Sequence, residues 1–231
     1  VVSMETSFKQ GEIPDRDVAL AEIQNRVLWI AMQMVDYANN VRPNPDGMKV
    51  GGHQSSSASV VTIMTALYFD FMKGRDRISV KPHASPVYHA IQFLLGNLAP
   101  EYLKQMRGFH GLQAYPSRTK DPDQVDFSTG SVGLGAVAPN FASLTGEYTR
   151  SHGFHKDGGR GRYISVVGDA ELDEGSVWEA IAEPEMSDLS NILWVVDLNR
   201  QSLDRIIPGI RARAWREMFD ANGWSVIDAK Y

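Results

Sequence analysis

The sequence contains no cysteine, which removes disulfides, thiolate zinc sites and a thiol nucleophile together. It also lacks any apolar run approaching the ~18–20 residues needed to span a membrane. An excess of positive charge is missing too: 23 Lys and Arg face 28 Asp and Glu, for a net charge of −5. Phosphate-rich polymers require a basic face, so nucleic acid is not expected as the main partner. The first residues, VVSMETSFKQ, carry no basic stretch followed by an apolar one. No secretory leader is read there, and a cytoplasmic location is the expectation.

What remains is an ordinary globular composition, 43% hydrophobic and 22% charged over 231 residues. That length supports a self-contained core, as one large domain or two small ones. Residues 1–16 are polar and read as an arm. From Asp17 to Asn39 the apolar positions fall at helical spacing, and Asn39–Gly52, with two prolines and three glycines, reads as a loop. Ser55–Phe71 predicts a buried helix opened by capping serines, Pro86–Leu95 another, and Pro100 starts a further one. Gly108–Thr129 is a long loop, a length more often functional than incidental. Gly133–Thr149 returns to a small-residue helix.

In the second half, RYISVV (162–167), NILWVVDL (191–198) and WSVID (224–228) read as strands, with helices at Ser176–Ala182 and Ile210–Ala221. Arg77–Lys81 is a further, short strand candidate. Strands alternating with helices predict an α/β fold, a doubly wound and mostly parallel sheet flanked by helices in a single domain. The apolar strands fit a sheet covered on both faces. The chain ends three residues after WSVID, with no helix to follow. A bare final strand is unusual for such a sheet, so a fragment or one subunit of a split protein is expected.

The chemistry-bearing constellation is Gly168-Asp169-Ala170-Glu171 after one strand and Asp197-Leu198-Asn199-Arg200-Gln201 after the next. In open α/β sheets, ligands bind outside the carboxyl ends of the strands. An Asp carboxylate and an Asn amide oxygen form a hard, partial shell that suits Mg²⁺, which keeps its other positions for water or phosphate. Gly168 and the small Ala170 let backbone approach a diphosphate, and a following helix N-terminus favours its charge. The plainer reading, a strand-end Asp and a loop Asn making ordinary turns, stays open on spacing alone.

Gly168-Asp169-Ala170, then 28 residues, then Asn199 resembles the thiamine-diphosphate motif of the transketolase superfamily. GDAELDEGSVWEAI, NILWVVDLNRQSLD and NGWSVID are similar to the homodimeric pyruvate dehydrogenases within it. So are GGHQSSSAS, KPHASPVYHAIQFLLG, GLQAYP and FSTGSVGLGAVAP, in the same order. The resemblance implies a thiamine-diphosphate-binding domain over residues 45–231, preceded by an arm and helix at 1–44. It implies Asp169, Asn199 and Gln201 as Mg²⁺ ligands, with Gly168, Ala170 and Glu171 lining the cofactor. His53, Ser56, His83 and Tyr115 match positions facing the thiazolium and substrate, and Val132 a backbone contact to the aminopyrimidine. His53 and His83 are the candidates for substrate orientation and proton transfer, since histidine titrates near neutral pH.

Two departures stand out. Ala170 replaces a glycine, and Lys81 stands where the pyruvate enzymes carry glutamine, which leaves a ketose-phosphate substrate open beside a 2-oxo acid. The resemblance also implies a partner: a pyrimidine-binding domain or subunit supplying a glutamate, in a dimer or higher oligomer. A non-catalytic split or truncated homologue is the third alternative.

Elsewhere the bland readings are preferred. GLGAVA (133–138) fits a dinucleotide fingerprint but follows no good strand. Arg211, Arg213 and Arg216 read as a solvated helix face, and Trp178 and Trp194 as core. His110, His152 and His155 read as ordinary surface or packing residues. His89 is divided between lining the site and packing.

Overall fold

The computed structural model describes residues 15–52, 54–154, 159–199, 201–202, 205–206 and 209–229. The apolar repeat near the start forms α1 (Arg16–Asp36), whose first turn is capped by the Asp15 side chain accepting from Asp17 N. Val27, Ile30, Ala31, Met34 and Val35 make its buried stripe.

The predicted helix over 55–71 forms, but in pieces: α2 (Gln54–Ala58), a break, α3 (Val61–Ala66) and a wider π-type turn at Leu67–Phe71. At the break Val60 N donates to Ser57 O, a tighter turn, and Ser59 turns its hydroxyl onto Asp197 at 2.6 Å. β1 (Arg77–Ser79) follows, then α4 (Ser85–Leu94). PEYLK gives only a 3-10 turn, closed by Gln105 N donating to Tyr102 O. Residues 108–129 contain no helix or strand, as expected. α5 (Leu134–Ser151), β2 (Tyr163–Gly168), α6 (Gly175–Ala182), β3 (Ile192–Asp197) and α7 (Gly209–Ala221) complete the alternation.

The three strands form one parallel sheet in the order β1-β2-β3. Their side chains alternate between two cores. Ile78, Val80, Ile164, Val166 and Leu193 face α1, α3 and α4. Val167, Trp194 and Val196 face α5, α6 and α7, where Trp215 and Phe219 are buried. Helices therefore cover both faces, the doubly wound arrangement read from the sequence. On the α5 face, Ser165 Oγ donates to Ala136 O at 2.9 Å, which lets that helix lie close to the sheet.

Three sequence expectations change here. WSVID forms no strand; Trp224 N turns back to Phe219 O, and the Trp224 ring packs 5.6 Å from both Trp194 and Phe219. Its alternation reports a packed face, with Ile227 89% exposed, and not a ladder. Trp178, read as core, is 46% exposed, its Nε1 donating to Leu172 O. A two-residue antiparallel pair, β4 (Gln201–Ser202) with β5 (Arg205–Ile206), was not anticipated.

Candidate functional site

The register of β2 and β3 sets Gly168 opposite Asp197. Asp169 and Asn199 thus follow neighbouring parallel strand ends, one and two residues beyond a paired position. Adjacent strands lie about 4.8 Å apart, so the two side chains share one edge of the sheet. Asp169 is 2% exposed and its Oδ1 accepts from Ala170 N at 3.0 Å. Residues Asp169–Asp173 wind into a 3-10 turn that leads into α6.

Glu171 folds back within that turn, and its Oε2 accepts from Gly168 N at 2.9 Å. Burial pushes its carboxyl up to about 7; the Gly168 bond and the Lys81 charge oppose this, and Glu174 adds to it. The group lining the strand end is accordingly a carboxyl that keeps its proton close to neutrality.

At the centre of this edge is an ion pair that the sequence reading left unassigned. Lys81 Nζ lies 2.7 Å from Asp197 Oδ2, with side-chain exposures of 4% and 3%. Lys81 starts two residues beyond β1 and Asp197 ends β3, so the pair reaches across the end of β2. The lysine stem passes Gly168, its Cδ 3.8 Å from where a Cβ would stand. The same carboxylate oxygen accepts from Ser59 Oγ at 2.6 Å, and Asn199 Nδ2 lies 3.4 Å away. Ser56 Oγ is 3.4 Å from Nζ. Two signals bore on this: Lys81 stood out as a departure, and a carboxylate closing an otherwise apolar strand, NILWVVD, must find a partner.

His83 sits in a 3-10 turn at Pro82–Ala84, and its carbonyl accepts from Ser57 Oγ at 2.9 Å. Its ring meets Tyr115 edge to face, with centroids 6.0 Å apart. Tyr115 comes from the 108–129 loop, held on both flanks by Asp121, which accepts from Gln113 N and Ser117 N at 2.7 Å each. Val132 is 54% exposed and precedes Gly133, whose φ of 77° opens α5. A Cβ at Gly133 would stand 2.8 Å from Val177 and 3.0 Å from Glu174, so only glycine lets the α5 start abut α6.

The structure therefore brings Ser56, Lys81, Asp197 and Asn199 into one contact set, beside the Gly168–Glu171 turn. His83 and Tyr115 form a second pair two residues from Lys81. His53 and the Gln201 side chain lie outside the described residues. The donor set fits a hard cation: a buried carboxylate at Asp169 and an amide at Asn199 whose nitrogen is turned to Asp197.

Comparison with known proteins gives the family and the fold. The family model described as "Transketolase, thiamine diphosphate binding domain" matches residues 23–231. The chain belongs to that family. It is 32% identical over 232 residues to the pyruvate dehydrogenase E1 component of Cupriavidus necator, covering 95% of this chain and 25% of that protein. It is 31% identical over 186 residues to transketolase-like protein 2 of Mus musculus, covering 75% of this chain and 28% of that protein. The chain thus spans about a quarter of the length of these relatives. Among solved structures, transketolase from Leishmania mexicana superposes with a TM-score of 0.69 at 21% identity, over 91% of this chain and 32% of that one. That likeness establishes the transketolase-type fold.

Two predictions follow from the ion pair and from Glu171. Removing one member of a buried pair strands the other charge, so Lys81→Met is expected to cost about 3–5 kcal/mol in urea unfolding. Adding Asp197→Asn, which keeps an acceptor for Ser59 without the charge, should restore at least half of that loss. Simple addition of the two single losses would contradict the coupling. For Glu171, the folded state favours the protonated carboxyl, so its stabilising contribution is complete below the ordinary value of 4.5 and fades as pH rises through about 7. Thermal unfolding across that window should show wild type losing stability relative to Glu171→Gln; parallel pH profiles would contradict it.

Proposed function

We propose that this chain is the cofactor-binding half of a thiamine-diphosphate-dependent 2-oxo acid dehydrogenase with pyruvate as its substrate. The observation carrying the reading is the placement of Asp169 and Asn199 just beyond the ends of the paired strands β2 and β3, beside Gly168. Residues 45–231 form the binding unit in this reading, with 1–44 as an arm and helix. Mg²⁺ would be held by Asp169, Asn199 and Gln201, and the diphosphate by the backbone at Gly168 and Ala170.

When bound, the cofactor supplies a carbanion nucleophile and an electron sink. The chain's own part is to orient and to handle protons. His83, braced against Tyr115, and His53 orient the 2-oxo acid and exchange protons at their ring nitrogens. Ser56 faces the same space, and the Val132 backbone meets the aminopyrimidine. Glu171, carrying its proton near neutrality, lines the cofactor without adding full negative charge next to the diphosphate.

A pyrimidine-binding domain or subunit completes the site across a dimer or higher-oligomer interface. The exposed apolar pair Val132 and Leu134, 54% and 57% accessible at the α5 start, supports a covering partner there. No described helix is long and apolar enough to cross a membrane. We place the protein in the cytoplasm, acting on small molecules and not on nucleic acid.

A second reading, two-carbon ketol transfer between sugar phosphates, draws support from the likeness to the mouse transketolase-like protein. Lys81 does not favour it: its charge is already engaged by Asp197 and closed off from solvent, so it is a poor anchor for a distal phosphate.

Calorimetry with thiamine diphosphate and Mg²⁺ tests the cofactor assignment. Binding is expected for wild type and should be lost in Asp169→Ala; unchanged affinity in that variant would remove the metal assignment. With a pyrimidine-domain partner present, pyruvate should reduce an artificial electron acceptor, whereas activity on xylulose phosphate alone would favour ketol transfer. No cofactor binding even with that partner would favour the non-catalytic homologue.

A further inference from the structure

One buried polar group takes no part in the scheme above. His89 lies on the inner face of α4, fully buried between Tyr88 and Ala90. Its Nδ1 is 2.7 Å from Asp123 Oδ2, and neither side chain is exposed. A carboxylate on Nδ1 makes that nitrogen the proton-bearing one and leaves a lone pair on Nε2, the arrangement found behind metal-binding histidines. His89 Nε2 and the second oxygen, Asp123 Oδ1, have no hydrogen-bond partner among the described residues.

Facing Nε2 is Asp121 Oδ1, at 3.9 Å. That gap is too long for a hydrogen bond. It is about half an ångström wider than the ~3.4 Å that a nitrogen and an oxygen span across one tetrahedral ion, so a small side-chain shift seats an ion between them. One donor atom from each of His89, Asp121 and Asp123 lies within 4.8 Å of the others. Charge points the same way. Asp126 is also close, but Arg77 stands 3.5 Å from it, and this leaves Asp121 and Asp123 facing the imidazole. Burial holds the Asp121 carboxyl above the usual range; burial also raises the Tyr68 and Tyr88 hydroxyls, with Asp123 and Asp126 adding to both and Asp121 to Tyr88 alone. A divalent cation seated between His89 Nε2 and Asp121 offsets carboxylate charge in this enclosed space.

We propose that His89 Nε2 and Asp121 bind one divalent transition-metal ion, with Asp123 orienting the ring from Nδ1, at a site separate from the Asp169–Asn199 edge. A nitrogen ligand in a closed pocket suits Zn²⁺, Co²⁺ or Mn²⁺ better than Mg²⁺, which gives up its water shell reluctantly. The consequence reaches the catalytic region through the loop. Asp121 already holds Gln113 N and Ser117 N, so an ion bridging it to α4 fixes the segment that carries Tyr115 against His83.

The test is metal uptake by the full chain, stripped with chelator and then titrated with Co²⁺ or Zn²⁺ in excess Mg²⁺. A single bound equivalent, a visible Co²⁺ absorption band and a raised Tm are expected. His89→Gln and Asp121→Asn should each weaken uptake by about 10–100-fold or more, whereas Asp169→Ala retains it. Circular dichroism checks that each variant is folded. Where a variant does not fold, the wild-type chain decides, because Zn²⁺ should shift the nitrogen resonance of His89 Nε2. No Co²⁺ or Zn²⁺ uptake by wild type would overturn the proposal. So would a folded His89→Gln that binds like wild type, or a His89 nitrogen signal that Zn²⁺ leaves in place.

Discussion

The carboxyl edge of the sheet depends on one buried ion pair. Lys81 and Asp197 meet at 2.7 Å with almost no solvent access, one from the end of β1 and the other from the end of β3. Two charges taken out of water are costly, and only close geometry with further hydrogen bonds offsets that cost. The further bonds are present: Ser59 donates to the Asp197 oxygen that Lys81 also contacts. The pair therefore ties together the outer strands of the sheet and the break between α2 and α3. It also sets the charge that Glu171 and Asn199 experience at the strand ends.

The rest of the fold serves to hold that edge open. Strand residues alternate between two apolar layers, with α1, α3 and α4 on one side and α5, α6 and α7 on the other. Both faces of the sheet are thereby used for packing, and the strand ends are where a ligand can approach the sheet. On the α5 side the close approach rests on small residues. A Cβ at Gly135 would stand 2.9 Å from Thr129 and 3.1 Å from Ser79, so the helix sits against the sheet and its first turn reaches the site. The 108–129 loop is long but ordered by bonds within it, such as Arg118 N to Ser128 Oγ, and by bonds to α4, where Tyr88 donates to the Gln124 carbonyl.

Much of this was legible because strand periodicity and strand-end chemistry are local. RYISVV and NILWVVDL read as strands of a covered sheet, and the residues following them, Gly168-Asp169 and Leu198-Asn199, fall on one edge of it. The ion pair was not legible, since its partners are 116 residues apart and meet only through the parallel register. Lys81 stood out as a departure, but the sequence could not say that Asp197 neutralises it. WSVID misled for the opposite reason: packing of Trp224 and Val226 on an aromatic cluster produces the same alternation as a ladder. His89 was undecidable because its two carboxylates arrive from a loop without periodicity.

The central claim is that the cofactor's diphosphate binds at the edge organised by Lys81 and Asp197, and that the lysine braces this edge without grasping the ligand. The most direct measurement is a crystal structure of the chain with thiamine diphosphate and Mg²⁺. The account predicts a diphosphate at the β2 and β3 ends, Mg²⁺ on Asp169 and Asn199, and Lys81 still on Asp197. A diphosphate seated elsewhere, or Lys81 released from Asp197 to bind phosphate, would contradict it.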